Sequence, residues 1–249
     1  VSRRPPPTTI SPEAAVLMQW YHEGRWWEVD YPPLDDLEAW AAARRPGLER
    51  GLDNSGRAVA ATGVSVHETE VGGMPALELR PPGYRHEPDV IVALHGSGYV
   101  MSSAAASIAG LAQVAALSGT RILSLDYPKA PEHTWSEVRA RTQAAFRAVA
   151  GDPAAGAKWA VLGISAGGGL AVSALLLGDS SIAPPVAVAL WSPWADLTPT
   201  GDTMDTLAEA DLTLTYPGGL EVAARAYAAG ADLADPRLSP VYADFRSGF

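Results

Sequence analysis

Short, nearly continuous apolar runs alternate with longer amphipathic stretches through the middle of the chain. Val90 to Leu94, Ile122 to Leu125, Trp159 to Leu162 and Val186 to Trp191 are such runs, and their pattern predicts parallel strands buried on both faces. Between them Ser107 to Leu117, Trp135 to Ala150 and Gly168 to Leu177 carry helical spacing. Upstream, Val64 to Glu70 and Ala76 to Arg80 alternate apolar and polar positions around Gly72-Gly73, which predicts an antiparallel hairpin. A hairpin followed by βαβ units implies an α/β fold, a mostly parallel sheet flanked by helices. Ahead of it, Ser11-Pro12-Glu13 opens a helix over Ala14 to Tyr21. A second helix is expected over Leu34 to Arg45, stopped by Pro46-Gly47.

Composition narrows the classes of function. The chain has 249 residues, 47% of them hydrophobic and 18% charged, with a formal net charge of -10. That length can bury a large single core, and so acidic a surface repels phosphate backbones, which argues against nucleic acid as a partner. There is no cysteine, so disulfides, thiolate catalysis and cysteine-ligated zinc are excluded. No run reaches the roughly 18 apolar residues of a membrane span. Val1-Ser-Arg-Arg-Pro-Pro-Pro has a basic pair without an apolar stretch behind it, a poor signal peptide; a cytoplasmic location is the expectation. Neither a cofactor nor a metal is called for, and a homodimer stays open, since the sequence does not say whether the protein dimerises.

Gly163-Ile164-Ser165-Ala166-Gly167 carries the strongest chemical signal. It lies directly between a predicted strand and a predicted helix, the setting of a G-x-S-x-G nucleophile elbow, where a sharp turn exposes the serine hydroxyl at the carboxyl end of the sheet. The alternative is a plain glycine-rich βα turn. His95-Gly96-Ser97-Gly98-Tyr99 ends the strand Val90 to Leu94; a glycine-rich turn there can aim N–H groups at a developing oxyanion. His95 precedes the serine and sits within that loop, so it is read as a loop anchor together with Gly96 rather than as a base. Asp126, Glu132, His133 and Asp196 are read as braces and caps. Trp20, Tyr21, Trp26 and Trp27 crowd the N-terminal region, either as ordinary core or as a lid over an apolar pocket.

LHGSGYV, LDYPKAPEH, GISAGGG and SPWADLT are similar, in order and spacing, to the HGGG, DYRLAPEH, GDSAGG and SPWxDLT motifs of the hormone-sensitive-lipase family, over about Leu77 to Ala243. The resemblance implies an α/β-hydrolase fold with a helical cap and an esterase acting on a small-molecule ester. Ser165 would be the nucleophile, and the amides of Ser97, Gly98 and Ala166 the oxyanion hole. Residues 1–47 and 199–235 would form the cap, 48–198 the hydrolase core and 236–249 the start of its C-terminal part. Tyr99, Trp20, Trp26, Trp27 and Trp194 are candidates for the substrate pocket, whose bulk favours short to medium acyl groups. Two positions depart from the family pattern. Ser97 stands where glycine is usual, at a cost of roughly 1 to 2 kcal/mol if φ is positive there, and Ile164 replaces an acidic residue.

The fold's triad runs serine, acid, histidine, yet His22, His67, His86, His95 and His133 all precede Ser165. The stretch Leu238 to Asp244 resembles the lead-in to the strand before the catalytic acid, and about 60 further residues would complete the pattern. Residues 1–249 therefore read as part of a larger hydrolase, expected to be inactive alone. Two other readings stay open. One is an amidase or acyltransferase using the same serine. The other is a silent ligand-binding protein, as in the plant gibberellin receptors, which resemble this family but lack the histidine.

Overall fold

The computed structural model describes residues 7–23, 31–86, 88–151, 158–176, 182–207 and 214–245. Among them six strands form one sheet in the order β1-β2-β4-β3-β5-β6. The strands are β1 (Ser65–Val71), β2 (Met74–Arg80), β3 (Val90–Leu94), β4 (Arg121–Leu125), β5 (Trp159–Ile164) and β6 (Ala187–Trp191). β1 and β2 form the expected hairpin, turning through Gly72 and Gly73 at φ of 58° and 81°, the left-handed geometry that favours glycine. β2 runs antiparallel to β4, and the pairs β4–β3, β3–β5 and β5–β6 are parallel.

The helices are α1 (Pro12–Glu23), α2 (Leu37–Thr62), α3 (Ile108–Ser118), α4 (Trp135–Ala150), α5 (Ala166–Leu176), α6 (Asp202–Thr206) and α7 (Glu221–Ala228). Side-chain alternation along the parallel strands splits the core in two. Val92, Leu94, Leu125 and Val161 join Phe146 of α4 and Leu170 of α5 on one face. Ala93, Ile122 and Leu162 join Ile108, Leu111 and Ala112 of α3 on the other. This two-sided burial is why the strands read as continuous apolar runs. β6 is the exception, an edge strand whose Trp191 is 58% exposed.

The helix expected to stop at Pro46 does not stop there. α2 runs unbroken from an Asp36 cap, which accepts from the Ala39 amide at 2.9 Å, to Gly63 at φ 69°. Interior proline costs about 3 kcal/mol and one hydrogen bond, but tertiary packing outweighs it. α2 lies along α3 and the 3₁₀ turn Ala105–Ser107 so closely that a Cβ on Gly51 would come 2.7 Å from Ala106. The boundary placed at residue 47 thus falls inside a continuous helix. Among the described residues no helix is long and apolar enough to cross a membrane.

Candidate active site

Strand β5 ends on Ile164 and α5 begins at Ala166, so Ser165 alone makes the turn. Its φ is 51°, the left-handed region in which a non-glycine residue is held only by its surroundings. Those surroundings hold both ends of the residue. The Ser165 amide donates to the Trp191 carbonyl at 3.0 Å, and its own carbonyl accepts from Gly168 (2.8 Å), Trp194 (2.9 Å) and Gly169 (3.2 Å). The flanking glycines permit that compression: a Cβ on Gly163 would sit 2.6 Å from Gly168 Cα, and one on Gly167 would sit 2.2 Å from the Leu94 carbonyl oxygen. Ser165 is half-buried, with its hydroxyl bonded to no described residue.

The loop after β3 lies directly against this turn. A Cβ on Gly96 would come 3.0 Å from the Ser165 Cβ and 3.1 Å from the Ile164 carbonyl oxygen. Ser97, Gly98 and Tyr99 follow with φ of 78°, 66° and 66°. The Ser97 carbonyl accepts from Met101 at 3.0 Å and Val100 at 3.3 Å, closing a tight turn. The amides of Ser97, Gly98 and Ala166 donate to no acceptor among the described residues. The serine that replaces glycine at 97 therefore does occupy positive φ, at about 1 to 2 kcal/mol.

His95 is 1% exposed, and its ring stacks on Tyr127 with centroids 4.2 Å apart. Nδ1 donates to the Gly96 carbonyl at 2.9 Å, while Nε2 lies 3.9 Å from Asp126 Oδ1 without a hydrogen bond. Burial, reinforced by the nearby Lys129 ammonium, pushes its pKa down to about 4. At neutral pH the ring is uncharged and bonded within its own loop. Tyr127, which sequence reasoning passed over, donates its hydroxyl to the His95 carbonyl at 2.6 Å and pins the loop from beneath. Its place in the LDYPKAPEH segment was the only available signal.

The four acid–base candidates all have local partners. Asp126 Oδ1 accepts from the Ala104 amide (3.1 Å) and Lys129 (3.0 Å). Glu132 pairs with Arg44, and the Arg44 hydrogen bonds hold its carboxyl below the usual range. His133 bonds Glu137 at 2.9 Å. Asp196 accepts from the Thr198 amide and hydroxyl, Thr200 and Tyr242.

Of the pocket candidates, Trp194 packs beside Gly98 and is 9% exposed. Tyr99 does not reach an open surface. Its backbone turns the ring inward, where it stacks on Tyr227 at 3.8 Å and approaches Trp194 at 5.8 Å. Trp20 belongs to α1 but its side chain lies outside the described residues, as do Trp26 and Trp27 entirely. No group of three or more potential metal ligands occurs among the described residues. A separate cleft touches Glu78, Val90 and Arg121. Val90 and Arg121 begin their strands, whereas Ser165 and the Gly96 loop follow strand ends, where open α/β sheets place their ligands.

A serine held at positive φ between a parallel strand and a helix, with the loop after β3 packed against it, marks the class: an α/β-hydrolase fold. Residues 91–249 match the family model described as alpha/beta hydrolase fold, and the chain belongs to that family, within its hormone-sensitive-lipase type. It is 30% identical over 183 residues to the "Putative acetyl-hydrolase LipR" of Mycobacterium tuberculosis (strain ATCC 25618 / H37Rv), covering 73% of this chain and 58% of that protein. The chain thus spans less than two thirds of that relative's length. Among solved structures, esterase E25 superposes with a TM-score of 0.83 at 25% identity, covering 98% of this chain and 76% of that one. An esterase from the bacterial hormone-sensitive lipase (HSL) family superposes at 0.77 with 29% identity, over 95% and 75%.

Proposed function

We propose that the protein is a carboxylic ester hydrolase in which Ser165 is the nucleophile. The observation that carries this reading is the packing of Gly96 against Ser165, so close that a Cβ on Gly96 would lie 3.0 Å from the Ser165 Cβ; it supports a role for the amides of the adjoining Ser97-Gly98 turn. The Ser165 oxygen attacks the ester carbonyl, and the carbonyl oxygen gains charge between the amides of Ser97, Gly98 and Ala166. Each well-aimed amide contributes about 3 to 4 kcal/mol in the transition state. Collapse of the tetrahedral species expels the alcohol and leaves an acyl serine, which water hydrolyses. The similar proteins, an acetyl-hydrolase and esterases by name, support this reaction class. The N-terminal helices and residues 199–235 act as the cap, and short to medium acyl groups are the substrates.

A proton must leave the Ser165 hydroxyl, and a histidine held by a carboxylate is the usual acceptor. Sequence order places no histidine after Ser165, and His95 is already bonded to Gly96. Residues 1–249 alone are therefore expected to be inactive, since loss of the base in a comparable triad costs on the order of 10⁶ in turnover. A Ser165 hydroxyl that bonds no described residue also suits a second reading, a silent binding protein on this scaffold. A fluorophosphonate probe separates the two. Rapid, stoichiometric labelling of the longest native form, abolished by Ser165→Ala, supports the hydrolase, whereas an inert Ser165 in that form defeats it. The 26.0 kDa chain, verified by intact mass, should not turn over p-nitrophenyl butyrate; turnover lost on Ser165→Ala would refute the claim of inactivity.

A further inference from the structure

Three non-glycine residues in the segment after β3, Ser97, Tyr99 and Ser102, hold positive φ. A turn with this much strain persists only where outside contacts over-determine it. Tyr127 and Asp126 supply two, through the His95 carbonyl and the Ala104 amide. The third comes from α2, and the sequence holds no sign of it. Arg44 is 11% exposed at its side chain. Its Nε donates to the Val100 carbonyl at 2.7 Å, and Nη2 to the Ala130 carbonyl at 2.8 Å and to Glu132 Oε2 at 2.6 Å. Nη1 closes the fork on Glu132 Oε1.

Each acceptor belongs to the site's frame. The Met101 amide, in the same peptide group as the Val100 carbonyl, donates to the Ser97 carbonyl at 3.0 Å, so Arg44 holds the peptide that closes the turn. The Ala130 amide donates to the Tyr99 carbonyl at 3.0 Å, so a single guanidinium clamps both loops that flank the cradle. Arginine suits this place because its planar fork satisfies a carboxylate and two carbonyls at once, which a lysine ammonium cannot do.

We propose that Arg44 is a positioning residue for the oxyanion turn, coupling helix α2 to the amides of Ser97 and Gly98. The inference deepens the hydrolase reading and rests on it for its catalytic meaning. It predicts that weakening Arg44 loosens the cradle before it loosens the sheet.

Hydrogen exchange resolved to single amides tests this on the folded protein. The variants are Arg44→Ala, Arg44→Lys and, as control, Arg57→Ala, which removes only exposed contacts on the same helix, an ion pair with Asp53 and a hydrogen bond to Asn54. In Arg44→Ala the Val100, Met101 and Ala130 amides should exchange at least about tenfold faster, as local opening becomes easier. The β5 amides should keep wild-type rates, and Arg44→Lys should fall between. Unchanged rates at Val100, Met101 and Ala130 in a folded Arg44→Ala would overturn the proposal. Equal acceleration in the cradle and β5 would also overturn it, because that marks a general loss of stability. If Arg44→Ala does not fold, Arg44→Lys decides on the same comparison. Exchange does not require Ser165 to react, so an inert serine would defeat the hydrolase reading while leaving this measurement decisive.

Discussion

Gly96 and Ser165 belong to different strand-to-helix connections, yet only the absence of a side chain on Gly96 lets them meet, since a Cβ there would lie 3.0 Å from that of Ser165. Contacts that close force a neighbour to shift. Gly96→Ala is expected to cost about 1 to 3 kcal/mol through overpacking and to displace the amide turn from the serine. Urea unfolding measures the first effect, and the phosphonate labelling rate of the longest native form measures the second. Wild-type behaviour in both would show that the loops do not depend on this approach.

Ser97 offers a change of opposite sign. It is exposed and sits at φ 78°, where glycine avoids a penalty of about 1 to 2 kcal/mol but loses roughly 0.5 to 1 kcal/mol to the freedom of the unfolded chain. Ser97→Gly should therefore stabilise the protein by up to about 1.5 kcal/mol, read as a higher urea midpoint with unchanged slope.

Tyr127 tests the anchoring of the same loop. Tyr127→Phe removes the donor to the His95 carbonyl at 2.6 Å without opening a cavity. Leaving that buried acceptor unpaired should cost about 1 to 3 kcal/mol, seen as a lower unfolding midpoint.

His95 sets an acid limit on stability. Its folded pKa, about 4, lies below the ordinary 6.5, so the unfolded chain binds its proton first. The stability linked to this neutral ring is complete above pH 6.5 and falls away as pH drops toward 4, by up to about 1.4 kcal/mol per unit. The carboxylates held low by their arginine partners, Glu78 and Glu132, work in a lower window: their contribution is complete above their ordinary 4.5 and is lost only below it. Melting temperature between pH 6.5 and 4.5 should thus decline in the wild type and flatten in a folded His95→Asn. Parallel slopes in the two proteins would refute the assignment.

Much of this architecture was legible in the residues because it depends on local patterns. β3 and α4 occupy the expected spans 90–94 and 135–150, since a buried strand and an amphipathic helix each write their period into adjacent positions. The turn at Ser165 was equally plain, because its glycines and serine are contiguous and the chain can make that corner in few ways. Local rules misled at Pro46, where a helix breaker was overruled by packing of α2 against residues some fifty positions later. They misled again at Tyr99, an aromatic beside a glycine turn that was expected in a pocket and is stacked in the core.

The sequence alone determined the hairpin, the alternation of parallel strands and helices after it and the serine corner, because these are properties of neighbours along the chain. Only the folded molecule decided which distant groups meet. Arg44 and Glu132 stand 88 residues apart, and nothing in either segment announces the other. Their pairing arises because the sheet brings the ends of β3 and β4 side by side and α2 sets Arg44 against the loops that follow both. Long-range hydrogen bonds of this kind are set by where elements pack, and packing is a property of the whole surface rather than of any one stretch of chain.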